Sequence, residues 1–165
     1  MKIIFRLALL AAAAAFGFWL WTVLFPSPEK IVLRKMDSLA STATFNADAS
    51  SLARAAKAGN LTDFFSPDAQ IILDAPGLAD HTFSGRDEIR ETALAGFATL
   101  NSLKVKFLDT TVQISADKQT AEVSCTIEVK AGDNKDYGAQ EMHFQFQKID
   151  GAWLITRAET VKTLS

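Results

Sequence analysis

Residues 121–130 alternate without interruption between apolar and polar side chains, and this pattern restricts the fold more than any other sequence feature. Successive side chains of a β-strand point to opposite faces of its sheet, so the pattern predicts a strand with one buried and one solvated face. Residues 141–147 repeat the pattern, and Asp150 and Gly151 behind them are a strong signal for a two-residue hairpin. We therefore expect an antiparallel sheet whose second face is covered by other elements.

Three further segments have the composition of strands. Residues 69–73 end in three consecutive apolar residues, Ile71–Leu73, and Trp153–Val161 follows the predicted hairpin. Within Leu103–Ile114 the apolar side chains change from odd to even positions near Asp109. A regular strand cannot change faces without an extra residue, so we expect a β-bulge or bend there. The segment 75–83 is interpreted as a loop.

Three segments have the periodicity of helices. Pro28–Leu39 begins with a proline, which suits the first turn of a helix, and Ser51–Ala58 is rich in alanine. Ser84 and Asp87 have the spacing of a capping box, and one apolar face follows them, formed by Ile89, Ala93, Phe97 and Leu100. The order helix, helix, strand, helix and four antiparallel strands predicts an α+β fold. In it, a curved antiparallel sheet wraps helices that pack on one face.

A run of 19 residues without a charge, Leu7–Phe25, precedes these elements. As a helix it would be about 28 Å long, close to the roughly 30 Å hydrocarbon core of a bilayer. A cleaved signal peptide is the rival interpretation, since Lys2 and Arg6 precede the run. However, signal peptides usually have a shorter apolar stretch, of about 7–15 residues, followed by small residues. The sequence therefore favours a transmembrane anchor that contacts membrane lipid through residues 7–25.

The anchor divides the chain into four predicted parts. They are a cytoplasmic start at 1–6, the transmembrane anchor at 7–25, a helical stalk and linker at 26–50, and a folded domain at 51–165. Lysine and arginine lie on both sides of the anchor, so the positive-inside rule alone is ambiguous. A short basic start without acidic residues usually stays in the cytoplasm. We expect a single-pass membrane protein whose folded domain is extracytoplasmic, in the periplasm.

Composition excludes several classes of protein. Hydrophobic residues make up 48% of the chain and charged residues 22%, which excludes a disordered chain. The net charge is −2 and no basic stripe is visible, so no nucleic-acid partner is expected. Cys125 is the single cysteine, and His81 and His143 are the two histidines. The sequence therefore allows no internal disulfide and predicts no metal site and no cofactor.

Three segments resemble the SnoaL-like branch of the nuclear transport factor 2-like superfamily. Residues 61–69 are similar to its short helix and the turn into its first strand, residues 83–89 to the start of its third helix, and residues 144–155 to its closing hairpin. The resemblance implies a cone-shaped, cystatin-like fold whose bent sheet wraps a helix and leaves an apolar pocket at the open end. This fold carries isomerases, dehydratases, hydrolases and non-catalytic modules, so it does not define a function.

Catalytic members of this family place an aspartate and a histidine or tyrosine inside the cone, and the matching candidates here are Asp74 and His81. Gln70, Ile72 and Asp74 share the even-numbered positions of one strand, which could bring Asp74 to the mouth of the pocket. A carboxylate buried in an apolar cone would have a raised pKa and could transfer a proton. The favoured alternative is that Asp74 caps the loop and that His81 is an exposed loop residue without a catalytic role.

The candidates for lining the pocket are Trp153, Arg157, Glu159 and Phe97. Arg157 and Glu159 share a face with Trp153 if the last strand is regular, and they would then form a polar pair at the rim that orients an anionic or carbonyl ligand. The favoured alternative is a salt bridge on the outer side, because other apolar residues of that strand compete for the inside. For Trp153 and Phe97, the alternative is that both side chains belong to the hydrophobic core and contact no ligand.

Two functions remain open. The first is a membrane-anchored, non-catalytic domain with a pocket for a small hydrophobic ligand or with a docking or dimerisation surface. The second is a SnoaL-like enzyme that transfers protons on a small hydrophobic substrate, as isomerases, dehydratases and cyclases do, with Asp74 as the base. The first is favoured because no convincing catalytic set is visible. A homodimer could form through the polar face of the central strands, which carries Ser124, Thr126, His143 and Gln145.

Overall fold

The computed structural model of the protein describes residues 16–17, 26–74, 81–132 and 137–161. Within these ranges three α-helices and six β-strands form an α+β fold, which confirms the predicted class. The helices are α1 (Pro28–Ala43), α2 (Ser51–Leu61) and α3 (Arg86–Thr99), and a 3₁₀ turn follows α2 at Thr62–Phe64. The strands are β1 (Phe65–Leu73), β2 (His81–Ser84), β3 (Leu103–Ile114), β4 (Thr120–Ala131), β5 (Tyr137–Ile149) and β6 (Ala152–Thr160).

The strands form one curved sheet in the order β2-β1-β6-β5-β4-β3. Neighbouring strands are antiparallel except for β1 and β6, which run parallel. The sheet is therefore mixed, and the prediction of a purely antiparallel sheet is wrong for this pair. Alternation along a strand reports which face is buried but not the direction of the neighbouring strand. Between β1 and β6 the chain forms β2, α3 and the three strands β3–β5, so no local pattern reveals this pairing.

The edge strand β2 corrects the interpretation of residues 75–83 as a loop. Leu73 pairs with His81 and Gln70 with Ser84, so residues 81–84 extend the sheet beyond β1. Residues 75–80 lie outside the described part of the chain. A strand of four residues is too short for its alternation to be recognised in the sequence, and the prediction missed it for that reason.

The start of α3 differs from the predicted capping box. The N-cap residue is Gly85, with a φ of +86°, and it makes no side-chain capping hydrogen bond. Instead, the backbone N–H of Ser84 donates to the Glu88 carboxylate at 2.6 Å. A positive φ favours glycine, so the backbone conformation moves the cap one residue beyond Ser84.

Helix α1 belongs to the folded core. Val32, Met36 and Leu39 lie on one side of the helix, are buried, and belong to the same cluster as the central strands. Residues 26–50 were expected to form a stalk and linker. That expectation is corrected for the helix, because burial of its apolar face joins it to the sheet.

The core consists of two clusters of buried side chains. The larger cluster joins α1 to the inner face of the sheet. Phe107 packs against this cluster, and its ring meets the ring of the cluster residue Phe144 edge to face, with 5.7 Å between the centroids. The smaller cluster includes Phe45 and Phe97, whose ring centroids lie 5.1 Å apart. Ile89 and Phe97 are both buried, so the predicted apolar face of α3 is confirmed.

Register shifts occur in several strand pairs. The predicted bulge in β3 is confirmed, since its pairing with β4 shifts between Leu108 and Thr111, and Asp109 adopts a φ of +50°. A second shift lies in the pairing of β5 with β6, and a third in the pairing of β1 with β6. Bulges bend a strand and increase its twist, which lets the sheet curve around α1.

The predicted hairpin between the last two strands is also confirmed. Ile149 pairs with Ala152, so Asp150 and Gly151 form the whole connection between β5 and β6. Both connecting residues have positive φ, +49° and +82°. This is the conformation that a type I′ turn requires, and aspartate followed by glycine accommodates it well.

No helix within the described ranges is long and apolar enough to cross a membrane. The predicted anchor at residues 7–25 lies outside those ranges, apart from positions 16 and 17, as does the predicted cytoplasmic start at residues 1–6. The anchor, its orientation and the periplasmic location of the domain therefore stay predictions.

Replacement of Met36 tests whether α1 is part of the core. Met36 is 1% exposed, so Met36→Ala should lower the free energy of unfolding by about 2–5 kcal/mol, because apolar burial is lost and a cavity remains. The control is the exposed neighbour Asp37, where Asp37→Ala should change this free energy by less than about 0.5 kcal/mol. Chemical denaturation of the full chain, followed by circular dichroism, measures both. Equally small effects would contradict the packing of α1.

Candidate functional site

The inner face of the sheet is mostly apolar where it is only half-buried, and Gln140 and Thr160 are polar residues of this face. Four side chains, one from each of four strands, form this wall: Ile71, Phe83, Phe107 and Ile127. Ile71 pairs with Phe83 across β1 and β2, and Phe107 pairs with Ile127 across β3 and β4. Such a wall can contact a small hydrophobic ligand, but its side chains cannot donate or accept a proton.

The buried polar side chains of the described residues are used in local hydrogen bonds. They are Thr62 and Ser66. The Thr62 hydroxyl donates to the Gly59 carbonyl at 2.6 Å, and the Ser66 hydroxyl donates to the Asp68 carboxylate at 2.8 Å. Both therefore stabilise the entry into β1. In the described part of the chain, no three histidine, cysteine or acidic side chains are grouped so that they could hold a metal ion.

The structure brings Asp74 and His81 to the same end of the β1–β2 pair. Leu73 pairs with His81, and Asp74 is the next residue along the chain. The Thr160 hydroxyl holds the backbone of Asp74, because it accepts a hydrogen bond from the N–H at 2.8 Å and donates one to the carbonyl at 2.9 Å. The exposed ring of His81 stacks on Phe83, with 6.2 Å between the centroids. A catalytic role for the pair stays a prediction.

The register of β1 places its even-numbered residues on the outer face of the sheet. Ala69 is fully buried in the larger core cluster and Ile71 packs against that cluster, so the odd positions face inward. Gln70 is exposed, and its side-chain oxygen accepts a 3.4 Å hydrogen bond from Arg157. Alternation therefore turns Gln70 and Ile72 outward, whereas Asp74 lies beyond the end of β1 and its place at the pocket mouth stays a prediction.

Arg157 and Glu159 form a salt bridge on the outer face. Arg157 Nη2 and Glu159 Oε2 lie 2.8 Å apart, and each side chain is 36% exposed. The register shift in β6 buries both Ile155 and Ala158, so alternation from Trp153 does not continue to the end of the strand. The pair therefore lies where the favoured alternative, an outer salt bridge, expected it, and contact of either side chain with a ligand stays a prediction. A surface pair of this kind contributes at most about 1 kcal/mol.

Trp153 and Phe97 are buried in the core, as their alternative interpretation expects. Trp153 belongs to the larger cluster, and Phe97 packs against Phe45 in the smaller one. The neighbours of both rings are protein side chains. Contact of either ring with a ligand stays a prediction.

A groove on the outer face, which we call the outer groove, was not predicted. Its volume is about 360 Å³, and two residues of the larger core cluster, Cys125 and Met142, border it. The rest of its lining is Asp109, Ser124, Thr126, Glu141, His143 and Val161. Ser124 Oγ and His143 Nε2 share a 2.8 Å hydrogen bond between β4 and β5. The alternation of polar side chains along β4 and β5 is visible in the sequence and could have indicated this polar surface. The contribution of Asp109 depends on the β3 bulge, which brings a third strand to the groove.

Comparison with protein families assigns this fold. The family model described as SnoaL-like domain matches residues 43–159. The chain belongs to the SnoaL-like domain family. The predicted resemblance to the nuclear transport factor 2-like superfamily is thereby confirmed. No curated protein sequence matches the chain.

Solved structures of low identity share the fold of this SnoaL-like domain. A suspected aromatic ring hydroxylase from Novosphingobium aromaticivorans is 17% identical, with a TM-score of 0.63 over 83% of this chain and 90% of the other. A suspected scytalone dehydratase from the same species is 17% identical, with a TM-score of 0.60 over 82% and 83%. An NTF2-like protein of unknown function from Pseudomonas putida is 10% identical, with a TM-score of 0.64 over 83% and 87%. At these identities the similarity shows the fold alone.

The single cysteine of the SnoaL-like domain is a small hydrophobic core residue. Cys125 is buried in the larger cluster and pairs with Met142 across β4 and β5. Burial raises the pKa of its thiol to about 11, because the apolar surroundings disfavour the thiolate. The thiol therefore stays protonated at neutral pH and is a poor nucleophile.

Thiol labelling tests the burial of Cys125. At about pH 8 the folded chain should react with Ellman's reagent at least roughly 100-fold more slowly than the chain unfolded in urea, because both access and the thiolate fraction are reduced. Absorbance of the released thiolate measures the rate, and Cys125→Ser supplies the background. Equal rates for the folded and unfolded chains would contradict this account.

Proposed function

We propose that this protein is a membrane-anchored, non-catalytic SnoaL-like domain whose outer sheet face pairs with a second copy of the chain. The anchor would be residues 7–25, with the domain in the periplasm. One observation supports this proposal above others, namely the division of side chains between the two faces of the sheet. The described inner face is mostly apolar, with Gln140 and Thr160 as half-buried polar side chains near one end, whereas hydrogen-bonding side chains cover the outer face.

Two rows of mostly polar side chains cross the outer face from β1 to β3. The residues paired in succession in the first row are Gln70, Arg157, Gln145, Glu122 and Gln113. Those in the second row are Ile72, Glu159, His143, Ser124 and Thr111. Arg157 and Glu159 neutralise each other, and most of the remaining polar side chains are uncharged. Two copies could therefore approach through this face with little charge repulsion and many hydrogen-bonding groups.

The inner face supports a non-catalytic role. Proton transfer needs a donor or acceptor within hydrogen-bonding reach of the substrate. Most half-buried side chains of the inner face are apolar, and the buried hydroxyls of Thr62 and Ser66 are already engaged locally. The two half-buried polar side chains of this face, Gln140 and Thr160, hydrogen-bond to the backbone. A small hydrophobic ligand is compatible with this wall, so the domain could bind such a ligand without transforming it.

Added positive charge on the outer face should separate the two copies. Gln113 and Gln145 are exposed and lie on either side of Glu122 in the first row. The double variant Gln113→Lys/Gln145→Lys leaves this row of each copy with excess positive charge, so two copies should repel each other. The dimer mass expected for the full chain should fall to that of a monomer. Size-exclusion chromatography with light scattering in a non-ionic detergent measures the mass of the protein component.

The control adds the same charge elsewhere. Thr92 and Asn101 are exposed and lie outside the strands, so Thr92→Lys/Asn101→Lys should leave the dimer intact. A wild-type chain that is monomeric at high concentration would refute pairing. Equal dissociation of both double variants would show that net charge, and not the outer face, controls association.

A second candidate function is acid–base catalysis on a small hydrophobic substrate, as in an isomerase, dehydratase or cyclase. It is favoured by the position of Asp74 and His81 at one end of the β1–β2 pair, where the apolar residues Ile71 and Phe83 are neighbours in the same two strands. In this scheme the Asp74 carboxylate removes a proton from the substrate and later releases it, and His81 assists. Two similar solved structures are named as suspected hydroxylase and dehydratase, and this similarity makes such substrates worth testing.

Removal of the proposed base tests the catalytic alternative. If Asp74 is the base, the full chain should turn over at least one compound in a panel of small hydrophobic hydroxy and carbonyl compounds. Asp74→Asn should then reduce kcat by about 10²–10⁴-fold, since the amide cannot accept the proton. The exposed Asp63 supplies the control, because Asp63→Asn should leave kcat unchanged. Turnover that survives Asp74→Asn would rule out this role.

A further inference from the structure

A second pocket, which we call the basic pocket, lies between α1 and the 3₁₀ turn. Its volume is about 330 Å³, and it is lined by Ile31, Arg34, Lys35, Ser38 and Phe64. This volume is near the lower end of the range of about 300–1,000 Å³ that is typical of small-molecule sites. The lining combines two cations with apolar surface and contains no acidic residue. Neither function proposed above uses this pocket.

The geometry of α1 assembles most of the basic pocket. Ile31 and Lys35 are four residues apart, as are Arg34 and Ser38, so these side chains form two neighbouring rows on the helix surface. Phe64 reaches the pocket from the turn that precedes β1. Ile31 and Phe64 both pack against the larger core cluster, so the core supports the apolar floor of the pocket.

Neither cation of the basic pocket forms a salt bridge with a described residue. The one salt bridge between described residues joins Arg157 and Glu159. Lys35 Nζ lies 5.5 Å from the centre of the Phe64 ring, and this cation–π contact holds the ammonium group beside the apolar floor. Arg34 is exposed, and its planar guanidinium can donate two parallel hydrogen bonds to a phosphate or carboxylate. As far as the described residues go, the pocket therefore presents positive charge without a salt-bridge partner next to apolar surface.

We propose that the basic pocket binds the anionic head group of a membrane lipid. The phosphate lies between Arg34 and Lys35, and the first part of the acyl chain lies on Ile31 and Phe64. The cations recognise the charge, and the apolar floor distinguishes a lipid from a free inorganic anion. Only the nearness of the pocket to a bilayer rests on the proposed function. Arg34 is six residues beyond Pro28, where α1 begins, or about 9 Å along the helix axis.

Amide chemical shifts of the full chain test this proposal. The protein is held in micelles of a neutral maltoside detergent and titrated with dodecyl phosphate, which carries both a chain and a charge. We expect saturable shifts of the amides of Ile31, Lys35 and Phe64. Dodecanol has the chain without the charge, and inorganic phosphate has the charge without the chain. Each should bind at least about tenfold more weakly than dodecyl phosphate if both parts of the pocket contribute.

Charge variants locate the binding. Arg34→Gln/Lys35→Gln should weaken dodecyl phosphate binding at least about tenfold, since both phosphate contacts are lost. Ser38→Glu keeps both cations but adds a negative charge to the lining, so it should also weaken binding. Lys104→Gln/Lys106→Gln removes the same total charge from exposed positions of β3 and should leave binding unchanged.

Three results would overturn the lipid site. Equal binding of inorganic phosphate would show a site for free anions, and equal binding of dodecanol would show that charge is irrelevant. Equal weakening by the β3 variant would show non-specific attraction. None of these results depends on whether the chain dimerises or catalyses a reaction, so failure here is distinguishable from failure of the proposed function.

Discussion

The packing of α1 against the inner face of the curved sheet is the contact on which the rest of the structure depends. Val32 and Met36 of the helix are almost completely buried in the cluster that also contains Phe146 and Ile155 of the sheet. Burial of apolar surface contributes about 25 cal/mol per Å², so this contact favours a sheet that bends around the helix. The exposed side of the same helix is thereby held in place, and there Arg34 and Lys35 border the basic pocket.

The register shifts control where polar side chains lie, and so they control which functions are open to the domain. The shift in β6 turns Arg157 and Glu159 outward, and the bulge in β3 brings Asp109 to the outer groove. The described inner face remains mostly apolar as a result, and its half-buried polar side chains, Gln140 and Thr160, hydrogen-bond to the backbone. Membership in the SnoaL-like family is compatible with enzymes and with non-catalytic domains, so the distribution of polar groups carries the functional argument.

Both proposals use surfaces of the domain rather than its interior. The outer face would bring two copies together, and the basic pocket on α1 would bind lipid close to the predicted anchor. These surfaces involve different elements, β1 and β3–β6 in one case and α1 with the 3₁₀ turn in the other. A dimer could therefore form without covering the basic pocket, and the two activities can be tested separately.

The sequence by itself determined the local elements of this protein. Alternation at residues 121–130, the change of parity near Asp109, and the Asp150–Gly151 turn each identified a feature through neighbours in the chain, and the structure has all of them. Only the tertiary structure decided the parallel pairing of β1 with β6, the edge strand β2 and the outward position of Arg157. These depend on contacts between residues far apart in sequence and on a one-residue register shift. A single extra residue reverses every later side chain of a strand, and only the packing of the whole sheet determines where that residue is inserted.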